Sequence, residues 1–236
     1  MKLLAIGDSH TFGAEILGEG NDYDKSQKLL AWPAKLANIL NYDFDNLGES
    51  GASIKRTERL LIDYLARNPK PDAVVIGWTC LGRWEICVGT DNNGEYYYNQ
   101  YNSWFDSNGN SENINQYNAL LPIITADDLL SEKYRTVIRC QNLLQNQDIP
   151  HIMFDVMEST KSEAPISGKG DSKIDKLWTG ENPLDRALEK MIDKKTYIDT
   201  IYWDYLKNRD GVKINGGHYN ETAHQHWGKY LSKYFI

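Results

Sequence analysis

No stretch of this 236-residue sequence approaches the roughly 18 consecutive apolar residues that a membrane-crossing helix needs, so no bilayer span and no membrane partner are expected. Cysteine is scarce. Cys80, Cys87 and Cys140 are odd in number and show neither metal-ligand nor redox spacing, which fits reduced thiols rather than a disulfide framework. Basic residues are outnumbered, 26 Lys and Arg against 33 Asp and Glu, for a net charge of −7. None at all lies between Arg83 and Lys133, where eight acids do. Non-specific nucleic-acid affinity comes from Lys and Arg neutralising phosphates, so nucleic acid is not the expected partner. The chain also lacks a secretory apolar region. Met1 to Ile6 is too short for one and runs straight into Gly7-Asp8-Ser9, so cytoplasmic synthesis without a signal peptide is expected. No internal repeat is visible.

What is present is a core and an alternation. Apolar residues make up 41% of the chain, enough to fill one sizeable domain, and a single domain over 1–236 is the expectation. Lys2 to Ile6, Asp72 to Gly77 and Pro150 to Val156 are short apolar runs without polar alternation, as strands buried on both faces of a parallel sheet should be. Asp43 to Leu47 and Thr196 to Ile201 are weaker strands. Between them lie helical patterns over Gln27 to Leu40, with a break expected at Pro33, Ser53 to Arg67, Thr125 to Gln145, and Asn220 or Glu221 to Phe235. Strands alternating with helices predict a doubly wound, mainly parallel sheet of about five strands. Ligands in such sheets sit outside the carboxyl ends of the strands.

Two stretches, about 89–122 and 158–182, have no clean period and read as insertions. The first is aromatic: Tyr96, Tyr97, Tyr98, Tyr101, Trp104 and Phe105 fall within ten residues, interleaved with Asn and Gln. Rings with polar edges suit stacking on sugars, and Tyr97 and Trp104 are candidate glycan contacts. Packing on the domain or on another subunit is the competing reading. The Asp106 to Glu112 run is an Asx-rich turn rather than a calcium loop, since its glycine is misplaced for an EF-hand.

Chemistry concentrates at four places. Gly7-Asp8-Ser9-His10 ends the first strand, where a serine is exposed and helix-start N–H groups can stabilise negative charge. Asn46 to Ser53 follows the second strand, Gly77-Trp78-Thr79-Cys80 the third, and Asn215-Gly216-Gly217-His218 precedes the last helix. Fold rules bring all four to one crevice, and Asp8, His10, Trp78, Arg83 and Glu85 are candidate substrate contacts around it. His224 and His226, two residues apart on a helix, diverge in direction, so no metal is expected, and no other cofactor.

This ordered set resembles the SGNH (GDSL-like) hydrolases over most of the chain outside the insertions. The resemblance implies a flavodoxin-like three-layer α/β/α sandwich and hydrolysis of esters, including O-acetyl groups on carbohydrate. It implies Ser9 as nucleophile, His218 as base, and the N–H groups of Ser9 and Gly51 as oxyanion donors. Two positions depart from the family pattern. Thr79 stands where the family has the asparagine that is the third oxyanion donor, and Asn215 stands where it has the closing acid. Position for position, Thr79 Oγ1 falls to the oxyanion hole and Asn215 to the orientation of His218; Asp210 or Asp204 is the alternative partner of His218, and Arg83 a candidate cation near the oxyanion. The Trp-Thr and Arg-x-Glu segments resemble divergent, often bacteriophage-encoded members, which would imply association with the virion or release by lysis. A glycan-binding module of the same fold with little activity, and an esterase acting on lipid or thioester acyl chains, are the alternatives.

Overall fold

The computed structural model describes residues 1–20, 24–90, 96–102, 126–157 and 183–235. In chain order the elements are β1 (Lys2–Gly7), α1 (Ser9–Phe12), a 3-10 turn (Lys25–Leu29), α2 (Trp32–Leu40), β2 (Asp43–Asn46), α3 (Ile54–Arg67), β3 (Ala73–Trp78), β4 (Arg83–Thr90) and β5 (Tyr96–Asn102). There follow α4 (Ala126–Asn146), β6 (His151–Asp155), α5 (Pro183–Met191), β7 (Tyr197–Ile198), α6 (Tyr202–Leu206), β8 (Ile214–Asn215), β9 (His218–Tyr219) and α7 (Glu221–Ser232).

Five strands make one sheet in the order β2-β1-β3-β6-β7, and every neighbouring pair is parallel. The apolar runs are explained by what each face meets. Leu4 and Ile6 of β1, with Val74, Ile76 and Trp78 of β3 and Met153 of β6, pack against Leu61 and Tyr64 of α3 and Tyr134 and Val137 of α4. Leu3, Ala5, Val75, Ile152 and Phe154 point the other way, onto Trp32 and Leu36 of α2, Tyr202 of α6, and Trp227 and Leu231 of α7. Alternate residues thus enter different cores, and both must be apolar. Helices on both faces make three layers, as expected.

Differences from the sequence reading are local. Pro33 does not interrupt a long helix; it lies in the first turn of α2, where a missing N–H costs nothing, and the residues before it form the 3-10 turn. Helix α3 starts on Ser53, whose side chain caps Arg56 N, and α7 starts on Asn220, whose side chain accepts from Ala223 N. Strand β7 has only two residues. The stretch from about 89 opens inside a hairpin: β4 and β5 pair antiparallel, with a bulge between Cys87 and Gly89. Its remainder, with Trp104 and the Asp106 to Glu112 run, lies outside the described residues, as does the 158–182 insertion. No described helix is long and apolar enough to cross a membrane.

Candidate active site

The strand order reverses direction at β1, with β2 on one side and β3 on the other, and residues at the end of β1 therefore face the crevice between the loops that follow β2 and β3. The chain leaves β1 at Gly7 and starts α1 within two residues. Asp8 is the N-cap: fully buried, it accepts from His10 N at 3.0 Å through Oδ1. Its other oxygen accepts from Thr79 Oγ1 and from Arg83 Nη1, each at 3.0 Å, and Arg83 Nη1 also donates to Thr79 Oγ1 at 3.2 Å. One carboxylate thereby ties the first turn, the end of β3 and the base of the hairpin together. Ser9 is almost completely buried, and its Oγ has no hydrogen-bond partner among the described residues.

The loop after β2 is drawn against this turn. Asn46 Nδ2 donates to Thr11 O at 2.8 Å, Gly48 N returns to Asn46 Oδ1 at 2.8 Å, and Glu49 N donates to Gly7 O at 3.1 Å. A β-carbon on Gly48 would lie 2.7 Å from the carbonyl carbon of Thr11, so only glycine lets the loop approach α1 so closely. Gly51, at φ 81°, follows in the same loop.

The closing loop comes from the other end of the chain. The ring of His218 lies 4.8 Å from that of His10, the residue next to Ser9. Its Nδ1 is 2.7 Å from Glu15 Oε2, which also accepts from Gly217 N at 2.8 Å; Glu15 Oε1 accepts from Gly20 N at 3.2 Å. Burial alone would raise the Glu15 pKa, but the bonds from His218 and the two backbone amides outweigh it, and the carboxyl is held below its ordinary value. A carboxylate on Nδ1 fixes the proton there and leaves Nε2 as the acceptor, the tautomer a general base requires.

The ring of His10 is enclosed by His218, Tyr202 and Trp203, the last two at 5.5 Å. Burial, then the neighbouring His218 and Arg83, push its pKa well below the usual histidine value, so His10 is a neutral packing partner. His224 is neutral too: its Nδ1 accepts from Trp32 N at 3.0 Å, and burial followed by the nearby His10 and His218 lowers it to about 3. His226 points elsewhere, to Asp210 O.

Several sequence assignments are corrected by this geometry. Asn215 does not hold His218; its Nδ2 lies 3.5 Å from the Glu15 carbonyl, and Glu15 occupies the imidazole nitrogen. Asp204 pairs with Lys207 at 2.9 Å instead of His218. Thr79 spends its one hydroxyl proton on Asp8, so it has none to offer an oxyanion in this arrangement. Glu85 is not at the surface of a crevice: it is buried, and both oxygens accept from Arg59 Nη2 at 3.1 Å, anchoring the hairpin to α3. Trp78 is fully buried in the core under α3 and α4, as its alternation with Val74 and Ile76 demands. Asp8 and Arg83 organise the turn. Tyr97 pairs with Gly89 in the hairpin, but its side chain lies outside the described residues. Glu15 carries no signal in the sequence: it lies 203 residues from His218, and nothing in the pattern around it marks a partner for the imidazole.

No family model matches the sequence, and no curated protein matches it significantly. Solved structures do resemble it. A protein assigned to the lipolytic G-D-S-L family from Desulfitobacterium hafniense DCB-2 is 17% identical, with a TM-score of 0.51 over 99% of this chain and 98% of that one. A carbohydrate acetylesterase family member from Sinorhizobium meliloti is 16% identical, with a TM-score of 0.51 over 99% and 96%. A carbohydrate esterase family 2 enzyme with a carbohydrate-binding domain from Corynascus thermopiles (Myceliophthora fergusii) is 15% identical, with a TM-score of 0.52 over 98% of this chain; the chain spans 64% of that polypeptide. The fold is that of the SGNH hydrolases. In this SGNH fold the serine turn, the glycine loop and the closing histidine come from three separated parts of the chain, and tertiary packing, not sequence proximity, sets their chemistry.

Proposed function

We propose that the protein is a serine ester hydrolase that removes small acyl groups, acetyl above all, from carbohydrate. The observation that carries this reading is the unpartnered, buried Oγ of Ser9, taken with the 4.8 Å contact between His218 and the ring of the next residue, His10. In the reaction, Ser9 Oγ attacks the ester carbonyl while His218 Nε2 takes its proton. The N–H groups of Ser9 and Gly51 receive the oxyanion. His218 then protonates the leaving alcohol, and a water activated by the same nitrogen releases the acid from the acyl-enzyme. No metal or cofactor enters these steps.

The carbohydrate part of the reading rests on the aromatic sequence of the hairpin and on the half-buried Trp203, whose ring is edge-on to His10 and 4.4 Å from Tyr219. It also draws on the printed descriptions of the Sinorhizobium and Corynascus proteins. A second reading, a glycan-binding module with little turnover, is favoured by Thr79: an absent oxyanion donor typically costs about 10² to 10³ in rate. Turnover of p-nitrophenyl acetate by wild type and Ser9→Ala tests the proposal. Wild-type turnover abolished by the substitution is expected; equal rates would overturn it. A preference for long acyl chains would redirect the substrate to lipid.

A further inference from the structure

We infer that Glu15, six residues after the proposed nucleophile, is the positioning acid of His218, supplied by the N-terminal block of the chain in place of the closing block. The inference rests on the hydrolase reading only for its catalytic consequence.

The closing loop is wrapped around this one side chain. Asn215 Nδ2 approaches the Glu15 carbonyl, Gly217 N and His218 Nδ1 share Oε2, and Gly216 passes against the carboxylate. Both partners are nearly out of solvent, Glu15 with 9% and His218 with 15% of the side chain exposed. A charge-assisted bond in such a site is strong and directional. Loop closure alone is served by the amides of Gly20 and Gly217; the imidazole Nδ1 on Oε2 is the further partner that a positioning acid holds. Glu15 itself adopts φ 59°, a left-handed conformation that side chains rarely take. The departure at Asn215 then has a physical account: its Nδ2 approaches the Glu15 carbonyl at 3.5 Å, where an aspartate would set oxygen against oxygen.

The charged and titratable groups facing His218 are Glu15 and the neutral His10, with His224 behind His10. Removing the carboxylate therefore removes the one acceptor among these described groups that holds a proton on Nδ1.

The test uses the full chain labelled with ¹⁵N, with long-range correlations of the His218 ring nitrogens at pH 8, assigned by comparison with His218→Asn. Wild type is expected to carry the proton on Nδ1. Glu15→Gln and Glu15→Gly should shift it toward Nε2, and kcat on p-nitrophenyl acetate should fall by about 10⁴ with KM little changed. Glu15→Gly suits the left-handed backbone, and its melting curve shows whether the fold is intact. Glu15→Asp should recover part of the rate. A proton on Nε2 in wild type, or a His218 ring indifferent to both substitutions, would overturn the inference. The nitrogen readout needs no turnover, so if Ser9→Ala hydrolyses ester at the wild-type rate, the hydrolase reading fails and Glu15 still stands or falls on the tautomer.

Discussion

A β-carbon placed on Gly216 would lie 2.6 Å from Glu15 Oε2 and 2.7 Å from its Cδ, so the closing loop can grip the carboxylate only because Gly216 has no side chain. Gly216 is also at φ 57°, where a side chain costs about 1–2 kcal/mol. Gly216→Ala is expected to lower stability by at least that amount and to push Glu15 off His218. In urea unfolding and ester kinetics, the variant should lose kcat about as far as Glu15→Gln does. A stable variant with wild-type kcat would show that the grip has no catalytic role.

Thr79 offers a test of which groups face the oxyanion. Its hydroxyl donates to Asp8 and accepts from Arg83, so Thr79→Val removes a buried link and leaves the shape. The expected loss is about 1–3 kcal/mol of stability, with kcat reduced less than tenfold. A kcat loss of about 10² or more at unchanged stability would mean that the hydroxyl turns to the oxyanion during the reaction.

Much of the fold was legible because its causes are local. The apolar runs of β1, β3 and β6 announce strands covered on both faces, and Ser53 and Asn220 announce helix starts. Of the proposed site, only residues whose neighbours mark them were legible as candidates, as with Ser9 within Gly-Asp-Ser and His218 before the last helix. Glu15 was not, because its partner lies 203 residues away in sequence and the contact exists only after the loops close. Trp78 and Glu85 were misread for the same reason. A tryptophan at the end of β3 and a glutamate on a strand look available until burial places one under α3 and gives the other to Arg59.

The Asp8–Arg83 pair links the serine turn to the hairpin through a carboxylate with no solvent exposure and a guanidinium side chain with 11%. Breaking a buried pair by removing one partner typically costs about 3–5 kcal/mol, because the other charge is left stranded. Asp8→Asn and Arg83→Met are each expected to fall in that range, and the double variant to cost less than their sum. A double-mutant cycle by urea denaturation checks this. Additive losses would mean that the two charges do not act on one another.

The buried histidines give the protein an acid sensitivity whose sign follows from their partners. His224 is held neutral down to about 3, by burial first and then by His10, His218 and Lys35, and His10 is likewise pushed well below its ordinary value. Unfolding frees both to take up protons below about 6.5. The unfolded state therefore binds more protons than the folded state as pH falls from about 6.5 toward 3, and stability decreases through that window. With His224 neutral in the fold, its share of the loss between pH 7 and pH 5 should be about 2 kcal/mol in urea midpoints converted to free energy, with His10 and the buried His151 adding in the same direction. His224→Gln can keep the bond from Trp32 N but cannot titrate, so it should remove that share. Wild-type stability that stays flat from pH 7 to pH 5 would show that at least one of these imidazoles gains its proton inside the folded protein, and the packing of His10 against His218 would then have to accommodate a charge.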